Sequence, residues 1–210
     1  MGAVSTLSGD DANATAFFTG SEQMFHRLGR TARAVVPLGN LAEYACQRGR
    51  YDEAIDVAKR ALAIAECYGD RSATAWLLAN LGCYYLAAHD TDSAASFTLD
   101  GLRIAVDLDD EWQSVGCCDT YARVVYERGE PDTAALLLGH ADERLAELRL
   151  PRQPADHKRM DELRAALRAT LGSERTELRL AEGRGFSSAA MLALVDSGFT
   201  NLPSEHSLAS

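Results

Sequence analysis

Two pairs of side chains in this sequence are spaced for shared chemistry: His140 with Glu143, and His157 with Asp161. Residues three or four apart lie on one helical face, so each pair could hold one edge of a metal ion. A metal site on helices takes more inward carboxylates at set spacing than two pairs supply, and Pro151 and Pro154 interrupt the chain between them. Both pairs read as solvated faces. The residues assign no metal, no cofactor and no catalytic group, and leave a metal-dependent hydrolase as the weakest function class. The vicinal Cys117 and Cys118 suggest a redox or soft-metal sensor, but no cationic neighbour is placed to lower a thiol pKa. Small apolar residues packed in a helix are the commoner reading of such a pair. Five cysteines (Cys46, Cys67, Cys83, Cys117 and Cys118), an odd number without a C-x-x-C spacing, read as reduced thiols of a cytoplasmic protein.

The elements that must carry these residues are helices. The chain has 210 residues, 47% of them hydrophobic and 25% charged, enough for a substantial core. A net charge of −10 and a pI near 4.9 argue against direct contact with a nucleic-acid backbone or an anionic membrane, both of which demand clustered cations. The longest uncharged stretch, from Ser72 to Ala88, contains Asn80 and Gly82 and falls short of the roughly 20 residues of a membrane span. It reads as a core helix. Arginine supplies nearly all the positive charge, with Lys59 and Lys158 the only lysines, which fits a GC-rich bacterial genome.

Self-similarity decides the fold class. Asn40-Leu41-Ala42-Glu43-Tyr44-Ala45 aligns with Asn80-Leu81-Gly82-Cys83-Tyr84-Tyr85 and then with Thr120-Tyr121-Ala122-Arg123-Val124-Val125, at an offset of forty each time. The same offset pairs Asp52 with Asp92 and Asp132, Ala54 with Ala94 and Ala134, and Ala61 with Gly101 and Ala141. Small residues recurring mid-helix let neighbouring helices reach packing distance. The segments Arg48-Gly49-Arg50, Ala88-His89-Asp90 and Arg128-Gly129-Glu130 supply helix stops, and Asp52, Asp92 and Asp132 place carboxylates in the following first turns. Helices are expected near 30 to 48, 51 to 67, 71 to 88, 91 to 108, 111 to 128 and 131 to 149, each amphipathic by the i, i+3, i+4 rule, as Tyr51, Ile55, Ala58, Leu62 and Ala65 illustrate. The expected organisation is a half repeat over 1–29, a three-unit array over 30–150, a helical cap over 151–197 and a flexible tail over 198–210. Since the first unit is half a repeat, the reading frame is expected to be truncated or split.

This pattern resembles the tetratricopeptide repeat, lengthened by about six residues from its usual unit. The fold expected is an all-α, tetratricopeptide-like α-solenoid of antiparallel helix pairs with a forty-residue period. The joints Tyr68-Gly69-Asp70-Arg71 and Leu108-Asp109-Asp110 resemble the C-terminal arm of bacterial LuxR-type and signal-transduction ATPase regulators, as do Leu138 to Leu145, Leu171 to Glu174 and Ala181 to Arg184. That resemblance implies a sensor or docking arm that binds a protein or peptide. The partner could be a P-loop ATPase or regulator, or a second copy of the chain. The sequence itself has no G-x-x-x-x-G-K-[ST] loop and no separate helix-turn-helix domain. A scaffold that only oligomerises, or props up a partner ATPase, is the alternative.

In a tetratricopeptide-like array the first helix of each pair lines the groove. Carried onto this chain, that gives Asn40, Glu43, Gln47, Trp76, Asn80, Arg123, Tyr126 and Glu127 as the partner-binding set. Trp76 and Tyr126 would anchor an apolar side chain. Asn40 and Asn80 share one repeat position and resemble the amides that clamp a peptide backbone, since an amide can satisfy both an N–H and a C=O. A plain hydrogen bond between helices is the other reading of these asparagines, and core packing that of Trp76 and Tyr126.

Overall fold

A computed structural model of the chain describes residues 27–152 and 154–198, together with 16, 19, 20 and 23–25. Most of the expected half repeat and the expected tail lie outside the described residues. A 3-10 turn at Thr31–Ala34 leads into α1 (Val35–Gln47), α2 (Tyr51–Cys67), α3 (Arg71–Ala87), α4 (Thr91–Asp107), α5 (Glu111–Glu127), α6 (Pro131–Leu148), α7 (Pro154–Leu171), α8 (Ser173–Arg184) and α9 (Ser188–Asp196). The described residues contain no strand, and no helix among them is long and apolar enough to cross a bilayer. The architecture is all-α and tetratricopeptide-like, with antiparallel helix pairs on a forty-residue period. α1 starts later than the sequence suggests. A helix from residue 30 would place Pro37 in its interior, against the carbonyl four residues back; starting at Val35 puts Pro37 in the first turn, where its missing N–H is not needed.

The joints reveal a finer metre than the sequence repeat. Helices α2 to α5 are each 17 residues long and are separated by three-residue joints. The middle residue of each joint is left-handed: Gly49 (φ 74°), Gly69 (68°), His89 (63°), Asp109 (53°) and Gly129 (84°), with Arg149 (54°) closing α6. The following N–H reaches five residues back, from Arg50 to Ala45 O (3.0 Å), Asp70 to Ala65 O (2.9 Å), Asp90 to Tyr85 O (2.9 Å) and Asp110 to Ala105 O (2.9 Å). This is the Schellman closure, which satisfies a carbonyl the helix leaves open. The third joint residue then caps the next helix: Asp70, Asp90 and Asp110 accept from the N–H groups of Ala73, Ser93 and Gln113 at 3.0, 3.0 and 3.1 Å. The left-handed stop thus recurs every twenty residues, and at the three central joints an aspartate adds the start of the next helix. Where the left-handed residue carries a Cβ, it is strained. Arg149→Gly and His89→Gly are expected to raise stability by about 0.5–1 kcal/mol each, the strain relieved less the added freedom of the unfolded chain; denaturant midpoints will check this.

The chain divides into two compact units, Met1–Ile104 and Ala105–Ser210. In the first, α1 packs on α2, α2 on α3 and α1 on α3. Leu38, Leu41, Tyr44, Leu77, Leu81 and Tyr84 are at most 5% exposed and form its centre. The recurring small residues lie where helices meet: Ala42, Ala54, Ala61 and Ala94 are fully buried. A Cβ on Gly82 would lie under 3.0 Å from Thr98 Oγ1, and one on Gly101 would lie 3.2 Å from the Ala79 nitrogen. These contacts bring α3 and α4 together.

The second unit is organised around α6. Every residue from Thr133 to Ala141 is buried, because α5, α7, α8 and α9 all pack on this helix. A helix that is apolar all round must be covered all round. The closest crossing joins α6 to α8: a Cβ on Gly139 would come within 3.0 Å of the Leu180 carbonyl oxygen, and a Cβ on Gly183 within 3.0 Å of the Leu136 carbonyl oxygen. Ion pairs fix the rest of the C-terminal helices. Arg175 donates to both oxygens of Asp132 at 2.7 and 3.0 Å, and Arg179 Nε donates to Asp132 at 2.9 Å. Partial burial pushes the Asp132 carboxyl up, but the two guanidinium groups outweigh it and hold the group below the ordinary carboxylate range. Arg152, in the proline joint, grips Asp119 of α5 through Nε (2.7 Å) and Nη2 (2.8 Å) and Asp142 of α6 through Nη1, while Arg164 of α7 holds the other Asp142 oxygen at 2.9 Å.

Candidate functional site

The five predicted groove residues of the first unit come together on one face of α1 and α3. Gly39 of α1 leaves room for the six-membered ring of Trp76 of α3; a Cβ there would meet the ring carbons Cη2 and Cζ3 at under 3.0 Å. One turn further along α1, Glu43 Oε2 accepts from the Tyr84 hydroxyl of α3 at 3.2 Å. Gly39 therefore faces Trp76 and Glu43 faces Tyr84, so α1 and α3 run alongside each other in the same direction. Asn40 and Asn80 lie at the level between these two contacts.

The polar groups on this face differ in how they are used. Glu43 also accepts from Gln47 Nε2 at 2.9 Å, so each of its carboxylate oxygens meets a neutral donor. Burial, and then the Glu43 charge, push the Tyr84 phenol far above its usual range, which makes its hydroxyl a fixed donor. Asn40 is exposed and Asn80 half-buried, and neither amide makes a hydrogen bond within the described residues. The inter-helix bond that would have explained them without a ligand is not formed. Trp76 is half-buried, with the outer edge of its six-membered ring against Gly39, and Val36 at the head of α1 is 60% exposed.

The other predicted residues belong to the second unit, on α5. Arg123 is half-buried, Glu127 is exposed, and Tyr126 shares a hydrogen bond of 3.2 Å between its hydroxyl and Thr170 Oγ1 of α7. Tyr126 is thus engaged by the C-terminal helices. Asp119, which aligns with Ala79 and Gly39 at the forty-residue offset, is buried under Arg152. The sequence reading missed Gly39 and Tyr84. Gly39 had a signal, since it aligns with the small residue Ala79 at the forty-residue offset.

The sequence placed His140 on a solvated face, and the structure corrects this: the imidazole is completely buried on α6. The carbonyl of Phe186 lies 3.0 Å from Nδ1 and can only accept, so Nδ1 carries the proton. Burial lowers the His140 pKa and keeps the ring neutral. Ser188 Oγ lies 3.5 Å from Nε2 but donates its proton to Glu111 Oε2 at 2.7 Å. A serine beside a histidine suggests nucleophilic catalysis, yet here the hydroxyl proton already goes to the carboxylate, and both side chains are buried where they tie α9 to α5 and α6. His157 Nδ1 lies 2.9 Å from Asp161 Oδ2 on the exposed face of α7. No group of three or more His, Cys, Asp or Glu side chains able to hold a metal gathers among the described residues. Cys117 and Cys118 are fully buried, and burial pushes the Cys118 thiol up, the opposite of what a reactive sensor requires.

Residues 30–105 match the tetratricopeptide repeat family. That stretch takes in the 3-10 turn and α1 to α4 almost to its end, including the whole α1–α3 face. No curated protein matches the chain. Among solved structures, the chain is similar to the crystal structure of BtubC (BKLC) from P. vanneervenii, with a TM-score of 0.68 at 17% identity over 100% of this chain and 82% of that one. At that identity the likeness speaks for the fold alone. From the seating of α1 against α3 to the repeat family matched over residues 30–105, the chain has a tetratricopeptide-like helical-repeat fold.

Proposed function

We propose that the α1–α3 face of the first unit binds an extended segment of another protein, and that the chain acts through this contact with no catalysis of its own. The observation that carries the proposal is the pair of unpartnered amides, Asn40 and Asn80, at one repeat position beside the half-buried ring of Trp76. An amide without an internal partner can take a peptide N–H and C=O at once, which grips a backbone whatever its side chains. Trp76 supplies an apolar contact held rigid by Gly39. Tetratricopeptide repeats generally mediate protein–protein contacts, and the face lies within the matched stretch.

The finer proposal is that the chain works in the cytoplasm of a bacterium as the sensor or docking arm of an ATP-dependent transcriptional regulator, or as a piece split from one. Its support is the resemblance of the segments around Gly139 and Gly183 to the closing part of such regulators. A protein that only oligomerises, or props up a partner ATPase, is the competing reading.

Phage-displayed random peptides selected on the purified chain provide the test. Loss of two backbone hydrogen bonds in Asn40→Ala/Asn80→Ala is expected to weaken selected peptides by about 2 kcal/mol, roughly 30-fold. Trp76→Ala is expected to weaken the same peptides further. Binding unchanged in both variants would place the ligand elsewhere.

A further inference from the structure

We infer that the α1–α3 face selects a cationic segment: an extended peptide carrying Lys or Arg two positions from a large apolar residue. The inference rests on the docking face proposed above and adds its selectivity. Glu43 is the source. Its carboxylate is half-buried in an otherwise weakly charged face that includes Val36, Trp76, Asn80 and Cys83, and its two oxygens meet only neutral donors, the Tyr84 hydroxyl and the Gln47 amide. No cation of the described residues neutralises it. The two donors fix the position of the carboxylate while leaving its charge uncompensated, and a partner ammonium or guanidinium would supply what the fold omits.

The spacing follows from the register of the two helices. The Trp76 ring sits over Gly39 and Glu43 lies one turn along the same helix, about 6 Å further on by the helical rise. In an extended chain, side chains on one face are separated by two residues, about 6.6 Å. A peptide that follows α1 with an apolar side chain on Trp76 therefore brings the residue two positions away to Glu43, while the free amides of Asn40 and Asn80 take the backbone between. A carboxylate at that peptide position would meet Glu43 directly and be rejected.

Peptides selected on the wild-type chain are expected to be enriched in Lys or Arg two positions from an aromatic or large aliphatic residue. Glu43→Gln keeps the side-chain shape, and is expected to weaken such a peptide roughly tenfold. The peptide's own Lys→Gln change should cost a similar factor in the wild-type chain and nothing in the Glu43→Gln variant. Affinity of the wild-type chain should also fall as salt is raised, a readout that needs no variant. Selected peptides that lose binding in Asn40→Ala/Asn80→Ala, but show no cation preference and no response to Glu43→Gln or to salt, would overturn the inference while leaving the docking face in place. Peptides indifferent to the asparagine variants, or no selected peptide at all, would remove the docking face and the selectivity together.

Discussion

Gly139→Ala is expected to destabilise the second unit by about 3 kcal/mol or more, at the upper end of what overpacking costs, because the methyl group meets backbone and no flexible side-chain end can move aside. The Cβ would fall under 3.0 Å from the Leu180 carbonyl oxygen, carbonyl carbon and Cα. Only separation of α6 from α8 relieves that contact, and separation exposes the fully buried Leu136, Leu137 and Leu138 and the buried Leu180. Gly183→Ala should act alike, since its Cβ meets the Leu136 carbonyl from the other side of the same crossing. The two effects should be less than additive, as the first substitution already parts the helices that the second would force apart. Gly116→Ala provides the contrast. That glycine is exposed in mid-α5 with nothing within 4 Å of an added methyl, so alanine should stabilise by up to about 1 kcal/mol through helix propensity. Urea titrations followed by circular dichroism will separate the three. A loss at Gly139 no larger than the change at Gly116 would mean that α6 and α8 do not cross as described.

Arg152→Met carries the second large effect. Asp119 is only 8% exposed, and both its oxygens are held by one guanidinium that is itself 11% exposed. Burial pushes the Asp119 carboxyl up against the pull of Arg152, while its two carboxylate partners hold the Arg152 guanidinium protonated above its usual range. Removing the arginine leaves a buried carboxylate alone, at an expected cost of about 3–5 kcal/mol at neutral pH. The pH dependence identifies the cause. In the variant the folded pKa of Asp119 lies above its unfolded value of about 3.9, so the penalty vanishes below that pH, where both states are protonated. It then grows as pH rises toward the folded value. Arg152→Met/Asp119→Leu should recover most of the loss, since Asp142 keeps Arg164 and no lone charge remains. A pH-independent loss, or no recovery in the double variant, would show that Arg152 acts by packing alone.

The sequence made the repeat legible because its signals are local. Gly49 and Gly129 stop helices by their own conformational freedom, and Ala42, Ala54 and Ala94 announce close approach by their size. The twenty-residue metre was hidden because His89, Asp109 and Arg149 occupy left-handed positions without being glycine. The C-terminal contacts were hidden for another reason: Arg152 meets Asp119, and Arg175 meets Asp132, across 33 and 43 residues, at separations that no spacing rule covers. His140 misled because a histidine and a glutamate three apart look solvated unless the other helices that bury α6 are known. On the candidate face, the amides, Trp76 and Glu43 could be read from repeat position. The Tyr84 partner of Glu43 could not, since Tyr84 aligns with Tyr44 and nothing in their type distinguishes a donor from a packing ring.

The regular joints also restrict how a gene for such a chain can change length. Each left-handed residue hands over to a new helix after twenty residues, and successive helices alternate between the type that bears Asn40 and Asn80 and the type that bears Ala54 and Ala94. Duplicating or deleting forty codons returns every small residue to the neighbour it fits. A twenty-codon event leaves each joint intact but exchanges the two helix types downstream, setting the Asn80 face where the fold requires an alanine seam. Viable length variants of this lineage should therefore differ by whole helix pairs.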